Sequence, residues 1–178
     1  MLGEDCGYSA PPNDLAASDF LKAFLEKTES VRQSTSSASC PLYCAGGCSS
    51  SLLEFRPVDA NYIIRLIRAS PNKNCSLDPV PTWIIKQYSN ELAPFVAFLA
   101  NSSLRQGFFS STQKNAIITL VLKKPNLDPH NPANYRPISN LSYLSKLLER
   151  CVGDQMNIYL NENNLLPRCQ SAYRNHHS

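Results

Sequence analysis

Hydrophobic residues in the first part of the chain recur at helical spacing. Over residues 13–32, apolar side chains stand three or four positions apart, with Lys, Glu and Asp between them. Asn13 and Asp14 stand where the N-cap of such a helix belongs. The pattern predicts one amphipathic helix. Its apolar stripe consists of Leu15, Phe20, Leu21, Phe24, Leu25 and Val31.

Residues 33–51 lose this periodicity. Serines, small side chains and Gly46-Gly47 provide too little apolar surface to offset the entropy of ordering the backbone. We therefore expect a linker, with residues 1–52 forming a helix and a Ser/Cys-rich segment, and residues 53–178 forming the main domain.

Three short helices are predicted to follow. Asp59 is a good N-cap for the first helix, and Ser70-Pro71 ends it. The second helix starts after the prolines of residues 78–81, and the third covers residues 91–105 with Gly107 as its C-cap. Their expected buried residues are Tyr62, Ile63, Leu66 and Ile67, then Trp83, Ile84, Ile85 and Tyr88, then Leu92, Phe95, Val96, Leu99 and Leu104.

A β-branched run changes the pattern at residues 116–122. A polar turn with three prolines separates it from residues 135–139, which predicts a strand, a loop and a second strand. Residues 141–161 return to helical spacing. The expected fold class is therefore α+β, mainly α-helical, with short helices and one β-hairpin. The stripe of the last helix consists of Leu144, Leu148, Val152 and Met156, with Tyr159 or Leu160.

Charge is unevenly distributed along the 178 residues. The net charge is +3, but residues 1–103 carry eight Lys/Arg and ten Asp/Glu, whereas residues 104–178 carry nine and four. A basic excess confined to one region suits phosphate binding, although many protein surfaces are equally basic. Charge alone therefore permits a nucleic-acid partner without requiring one.

Localisation and cysteine chemistry follow from two further features. No segment has the layout of a signal peptide, and the longest apolar run is too short to span a bilayer. We therefore expect an intracellular protein with no membrane partner. Seven cysteines is an odd number, which favours reduced thiols. Cys40, Cys44 and Cys48 have no His within eighty residues, so a linker is favoured over a zinc site.

Five short motifs carry a family resemblance. In their order and spacing they resemble the reverse transcriptases of non-LTR (LINE-like) retrotransposons, of jockey and CR1/L2 type. The resemblance covers roughly residues 55–178. The motifs are Cys75-Ser76-Leu77-Asp78-Pro79-Val80-Pro81, Leu122-Lys123-Lys124-Pro125, Asn134-Tyr135-Arg136-Pro137-Ile138-Ser139, Leu147-Leu148-Glu149-Arg150 and Gln170-Ser171-Ala172-Tyr173-Arg174.

The resemblance implies an incomplete right-hand polymerase fold. This sequence would supply the N-terminal extension and the fingers, without the palm motifs and the thumb. Polymerase chemistry uses two metal ions held by palm carboxylates. None of the seven aspartates here forms an Asp-Asp pair, and most suit helix caps or solvated positions. We therefore assign no catalytic residue, expect Mg²⁺ only in the full-length enzyme, and expect no polymerase activity from this chain alone.

Three cations are implied to contact the incoming nucleotide. Fingers hairpins of this family present cations to its triphosphate, and the matching positions are Lys123 or Lys124 on one strand and Arg136 on the other. Arginine offers a planar fork for phosphate oxygens and lysine a point charge. Without the resemblance, a solvated basic turn would be the better interpretation.

Template contacts are implied further along the chain, at Gln170, Tyr173 and Arg174. An amide, an aromatic ring and a guanidinium suit bases and backbone. Where the family more often has Gly-Phe, this chain has Ala172-Tyr173, so the glycine's freedom at positive φ is lost.

The partners implied are an RNA or DNA template-primer and a deoxynucleoside triphosphate. Two alternatives stay open beside the reverse-transcriptase fragment. One is a non-catalytic nucleic-acid-binding module, which the basic C-terminal part permits. The other is a non-functional element remnant that exposes apolar faces and does not fold stably.

Overall fold

The computed structural model describes residues 11–39, 51–73 and 75–166. It confirms an α+β fold that is mainly helical, with a two-stranded antiparallel sheet. The elements in chain order are α1 (Ala17–Thr35), α2 (Ala60–Ala69), α3 (Thr82–Gln87), α4 (Ser89–Gln106), β1 (Ala116–Leu122), β2 (Tyr135–Leu141) and α5 (Tyr143–Glu162).

These elements form two compact units. Unit 1 joins residues 1–43 to residues 117–140, so it contains α1 and the β-hairpin. Unit 2 joins residues 44–116 to residues 141–178 and contains α2 to α5. Most of the expected linker lies outside the described residues, and the division at residue 52 stays a prediction.

The start of α1 differs from the prediction. The helix begins at Ala17 rather than at Asn13, and Asn13 and Asp14 form a turn before it. The capping carboxylate is that of Asp19, whose Oδ2 accepts a hydrogen bond from the Ala16 N–H at 2.8 Å. An acidic residue at the third position of a helix can satisfy a free N–H in this way.

Only one residue of the predicted α1 stripe is buried. Phe20 is 3% exposed, whereas Leu21, Leu25 and Val31 are all more than half exposed. Within unit 1 the helix packs on the 3₁₀ turn Pro132–Asn134, just before β2. Because that turn is much shorter than a helix of 19 residues, it covers only the first part of the apolar stripe.

In unit 2 the core forms between α2, α4 and the first half of α5. The α4 face against α2 consists of small side chains, which allow the two backbones to approach closely. The core residues are Ile63, Leu66, Ile67, Ala93, Val96, Ala97, Ala100, Tyr143, Leu147, Leu148 and Cys151.

This packing corrects several predicted core positions. Phe95 is 63% exposed because α4 presents its alanines, rather than its phenylalanines, to α2. Trp83 and Tyr88 are at least half exposed, since α3 has only six residues and buries Thr82 instead. Met156 is 42% exposed because only the first turns of α5 contact the core.

The capping residues predicted the ends of α2 and α4 correctly, whereas helical periodicity misplaced several core residues. Asp59 caps α2 by accepting a hydrogen bond from the Tyr62 N–H at 2.7 Å, and the helix ends before Ser70 as expected. Gly107 ends α4 with φ at 59°, the left-handed conformation that glycine adopts without a steric penalty.

Two amide side chains attach the segment before α2 to unit 2. Asn101 accepts a hydrogen bond from the Val58 N–H at 2.8 Å and donates to its carbonyl at 2.9 Å. Gln155 does the same with Arg56, at 2.7 and 3.0 Å. Each amide thus satisfies both backbone groups of one residue, as a neighbouring strand would.

A long-range cap joins the loop before α3 to α5. Asp78 Oδ1 accepts a hydrogen bond from the N–H of Tyr143, the first residue of α5, at 2.7 Å. The first N–H groups of a helix have no partner within it. Asp78 therefore stabilises a helix that begins 65 positions later in the sequence.

Cys151 lies in this core, and its surroundings keep it neutral. Burial, and secondarily the negative charge of Asp154, raise the pKa of its thiol to about 11. It is therefore a small apolar core residue at neutral pH rather than a reactive thiolate.

No helix in the described ranges has both the length and the apolar character that crossing a membrane requires.

The long-range cap gives a stability prediction. Asp78→Ala removes the acceptor of the Tyr143 N–H, so we expect the free energy of unfolding to fall by about 1–2 kcal/mol. Urea titration followed by helical circular dichroism measures this. Glu162→Ala is the matched control, because it removes a carboxylate from the other end of α5, and we expect it to change stability by less than about 0.5 kcal/mol. Equal effects of the two substitutions would contradict the capping role.

Candidate phosphate-binding hairpin

The loop between β1 and β2 is held by its own polar side chains. Asp128 Oδ1 accepts a hydrogen bond from the His130 N–H at 2.9 Å, and Asn131 Oδ1 accepts one from the Ala133 N–H at 3.0 Å. Asn134 Nδ2 donates to the Asp128 carbonyl at 3.0 Å. Short Asx-type turns of this kind fix a long connection without a hydrophobic core.

Tyr135 anchors the loop at the start of β2. Its side chain is 2% exposed, and its hydroxyl donates to the Pro129 carbonyl at 3.0 Å. Its ring meets Phe20 of α1 edge to face, with centroids 5.1 Å apart and planes at 85°. An exposed contact between His130 Nδ1 and Asp14 Oδ2, at 3.1 Å, lies on the same unit.

The three predicted nucleotide-binding cations belong to this hairpin and are exposed. Arg136 lies on β2 as predicted, but Lys123 and Lys124 lie just after β1, which ends at Leu122, rather than on the strand. Lys123 Nζ donates to the Ala133 carbonyl at 2.5 Å, which closes the base of the loop. Arg136 Nη2 reaches across the strands and donates to the Lys123 carbonyl at 3.1 Å. The structure thus brings Arg136 beside the backbone that leads into Lys124.

The three cations differ in how they are held. The ammonium group of Lys124 has no partner among the described residues. Arg136 uses one of its five N–H donors on Lys123, so most of its fork still faces solvent. Lys123 is instead engaged by the loop. Lys124 and Arg136 therefore present the free positive charge.

Other predicted site residues cannot be placed. Gln170, Tyr173 and Arg174 lie outside the described residues, as do Cys40, Cys44 and Cys48. Within residues 11–39, 51–73 and 75–166, no three His, Cys, Asp or Glu side chains come together as a metal-ligand set.

Sequence reasoning missed the residues that position the site. Phe20 was expected in an apolar stripe and Tyr135 in a motif, but nothing local indicates that the two rings meet. Likewise, the lysine pair gives no local signal for which of Lys123 and Lys124 is tied to the loop. These are tertiary contacts, which periodicity and capping rules do not report.

Comparison with known proteins identifies the relatives of this chain. No family model matches it. It is 32% identical over 152 residues to the probable RNA-directed DNA polymerase from transposon BS of Drosophila melanogaster, over 85% of this chain and 16% of that protein.

The chain is homologous to the RNA-directed DNA polymerases of non-LTR retrotransposons.

Two further reverse transcriptases match at 27% identity and 13% of their length. They are the probable RNA-directed DNA polymerase from transposon X-element of Drosophila melanogaster, over 69% of this chain, and the RNA-directed DNA polymerase from mobile element jockey of Drosophila funebris, over 68%. The chain thus spans about a sixth or less of the length of these reverse transcriptases.

The two lysines of this reverse-transcriptase relative should respond differently to substitution. Lys123→Ala removes the hydrogen bond to the Ala133 carbonyl, so we expect the loop to open more often and its amides to exchange faster with solvent. Lys124→Ala, the matched control, removes the same charge without that bond and should leave exchange unchanged. Hydrogen exchange across residues 125–134 measures the difference. Equal protection in both variants would contradict a positioning role for Lys123.

Proposed function

We propose that this chain forms the N-terminal extension and fingers of a retrotransposon reverse transcriptase, with a right-hand polymerase fold completed by further sequence. Its hairpin would hold the triphosphate of the incoming deoxynucleotide. The observation that supports this most is the pairing of Arg136 with the Lys123 backbone beside the unengaged Lys124. Homology to RNA-directed DNA polymerases supports the choice of ligand.

The chemistry of the hairpin suits a triphosphate. A guanidinium fork on β2 and an ammonium group just after the end of β1 neutralise phosphate oxygens, and charge-assisted hydrogen bonds to them are short and strong. The one carboxylate of the loop, that of Asp128, already accepts the His130 N–H. Its negative charge is thus outnumbered by the positive charges of Lys123, Lys124 and Arg136.

The loop is also fixed before any ligand arrives. The Tyr135 hydroxyl, the Asx-type turns and Lys123 together hold its backbone. A preordered site loses less conformational entropy when it binds. We therefore propose Lys123 as a positioning residue, with Lys124 and Arg136 as the groups that contact phosphate.

The template-binding residues rest on less support than the nucleotide-binding ones. We propose Gln170, Tyr173 and Arg174 as template-binding residues, on the strength of their motif alone. No catalytic role is proposed for any residue of this chain. Mg²⁺ would assist the reaction of the complete enzyme, and we place none of its ligands among the described carboxylates.

A binding experiment tests the nucleotide role. We expect the Lys124→Ala/Arg136→Ala variant to bind a deoxynucleoside triphosphate at least about tenfold more weakly than the unaltered chain, because two charge-assisted contacts are lost. Isothermal titration at low ionic strength, with the triphosphate and the corresponding nucleoside, measures this. The nucleoside should bind weakly to both proteins, since it carries no phosphate.

Its matched control is Lys22→Ala/Lys27→Ala, which removes two exposed charges from α1 of the same unit. We expect this variant to keep its triphosphate affinity. An equal loss in the control would show that only net charge matters, and unchanged affinity in the hairpin variant would refute the proposed site.

A further inference from the structure

A concave surface lies within unit 2 and is lined by none of the hairpin residues. It is a groove of about 560 Å³ between the C-terminal end of α2 and one face of α5. Leu66 and Leu147 form an apolar floor together with Tyr143, and the loop residues Ser70 and Lys73 form one side. None of the residues proposed for nucleotide or template binding lines this groove.

Three cations surround the groove. Lys146 and Arg150 are one helical turn apart on α5, so they point to the same side, and Lys73 stands on the opposite loop. All three are exposed, and none forms an ion pair with a carboxylate of the described residues. Two basic residues of α1, by contrast, lie within 4.0 Å of a glutamate.

The carboxylates of the groove oppose these cations only in part. Asp154 Oδ2 accepts a hydrogen bond from the Tyr62 hydroxyl at 2.7 Å, and burial together with this bond raises the pKa of Tyr62 well above its ordinary value. The Tyr62 hydroxyl therefore stays protonated and keeps Asp154 engaged. Glu149 is the second carboxylate, which leaves three positive charges against two negative ones.

Arg150 acts on the groove floor as well as on its edge. Burial raises the pKa of Tyr143, and the hydrogen bond with Ser70 and the positive charge of Arg150 oppose that rise. The positive charge of Arg150 therefore influences a hydroxyl of the groove floor, which lies 2.6 Å from Ser70 Oγ.

We propose that this groove binds the phosphodiester backbone of a single-stranded nucleic acid. Successive cations along α5 suit a ligand with repeated negative charges better than a single phosphate, and the apolar floor offers a surface for sugars and base faces. A duplex is too wide to enter a groove between two helices. This proposal rests on the proposed function only in that the chain works on nucleic acid, since it uses no residue of the hairpin.

The salt dependence of binding tests the groove directly. Each phosphate contact to a single strand adds about 0.7 to the slope of log affinity against log salt concentration. We expect Lys146→Ala/Arg150→Ala to lower that slope by about 1.4 for a mixed-sequence RNA oligonucleotide, because two contacts are lost. Fluorescence anisotropy at several salt concentrations measures it, and a DNA oligonucleotide of the same sequence shows whether the sugar matters.

Two further variants distinguish binding in the groove from non-specific electrostatic attraction. Arg105→Ala/Lys114→Ala removes two exposed cations of the same unit outside the groove, so its slope should stay unchanged. Glu149→Gln removes an opposing charge and should strengthen binding. The proposal is overturned if the groove variant keeps the original slope, if the control loses as much, or if Glu149→Gln weakens binding.

The hairpin variant distinguishes this proposal from the nucleotide site. When Lys146→Ala/Arg150→Ala is added to the Lys124→Ala/Arg136→Ala variant, the salt-dependence slope for RNA should still fall by about 1.4. This holds whether or not the hairpin substitutions weaken triphosphate binding. Thermal unfolding of each variant shows whether the fold is retained, which we expect because all the substituted groups are exposed. A groove effect that disappears in the hairpin variant would contradict two separate sites.

Discussion

The edge-to-face contact between Phe20 and Tyr135 is the constraint on which the hairpin depends. Each residue is at most 3% exposed, and together they form a buried aromatic pair among the described residues of unit 1. Such a pair contributes about 0.5–1.5 kcal/mol beyond the burial of its area. Because Arg136 follows Tyr135 directly, the position of its guanidinium depends on a helix much earlier in the chain.

Local rules explain which parts of the fold the sequence could predict. Asp59 and Gly107 act through groups within a few residues of themselves, and the strand of residues 116–122 is set by its β-branched run. The buried face of α4 depends instead on how closely α2 approaches, so the alanines are buried and Phe95 is not. The capping role of Asp78 could likewise not be predicted, because it depends on the position of the first residue of α5 in the folded chain.

The candidate site shows the same limit. Residue type and motif placed Lys123, Lys124 and Arg136 on one hairpin, which the structure confirms. Motif alone could not show that Lys123 donates to the Ala133 carbonyl, because that bond depends on the path of the loop. Basic charge is therefore only part of the description. Of two lysines with the same charge, one can donate a hydrogen bond to the backbone and the other can remain available to a ligand.

The most direct test of the account is an NMR titration of the isotopically labelled chain with a deoxynucleoside triphosphate. A preordered phosphate site on the hairpin predicts saturable shifts of the Lys124 and Arg136 amides, with little change at α2 or α4. Smaller shifts should reach residues 125–134, because the loop is already fixed. Shifts centred elsewhere, or none at ligand concentrations where the nucleotide binds, would contradict it.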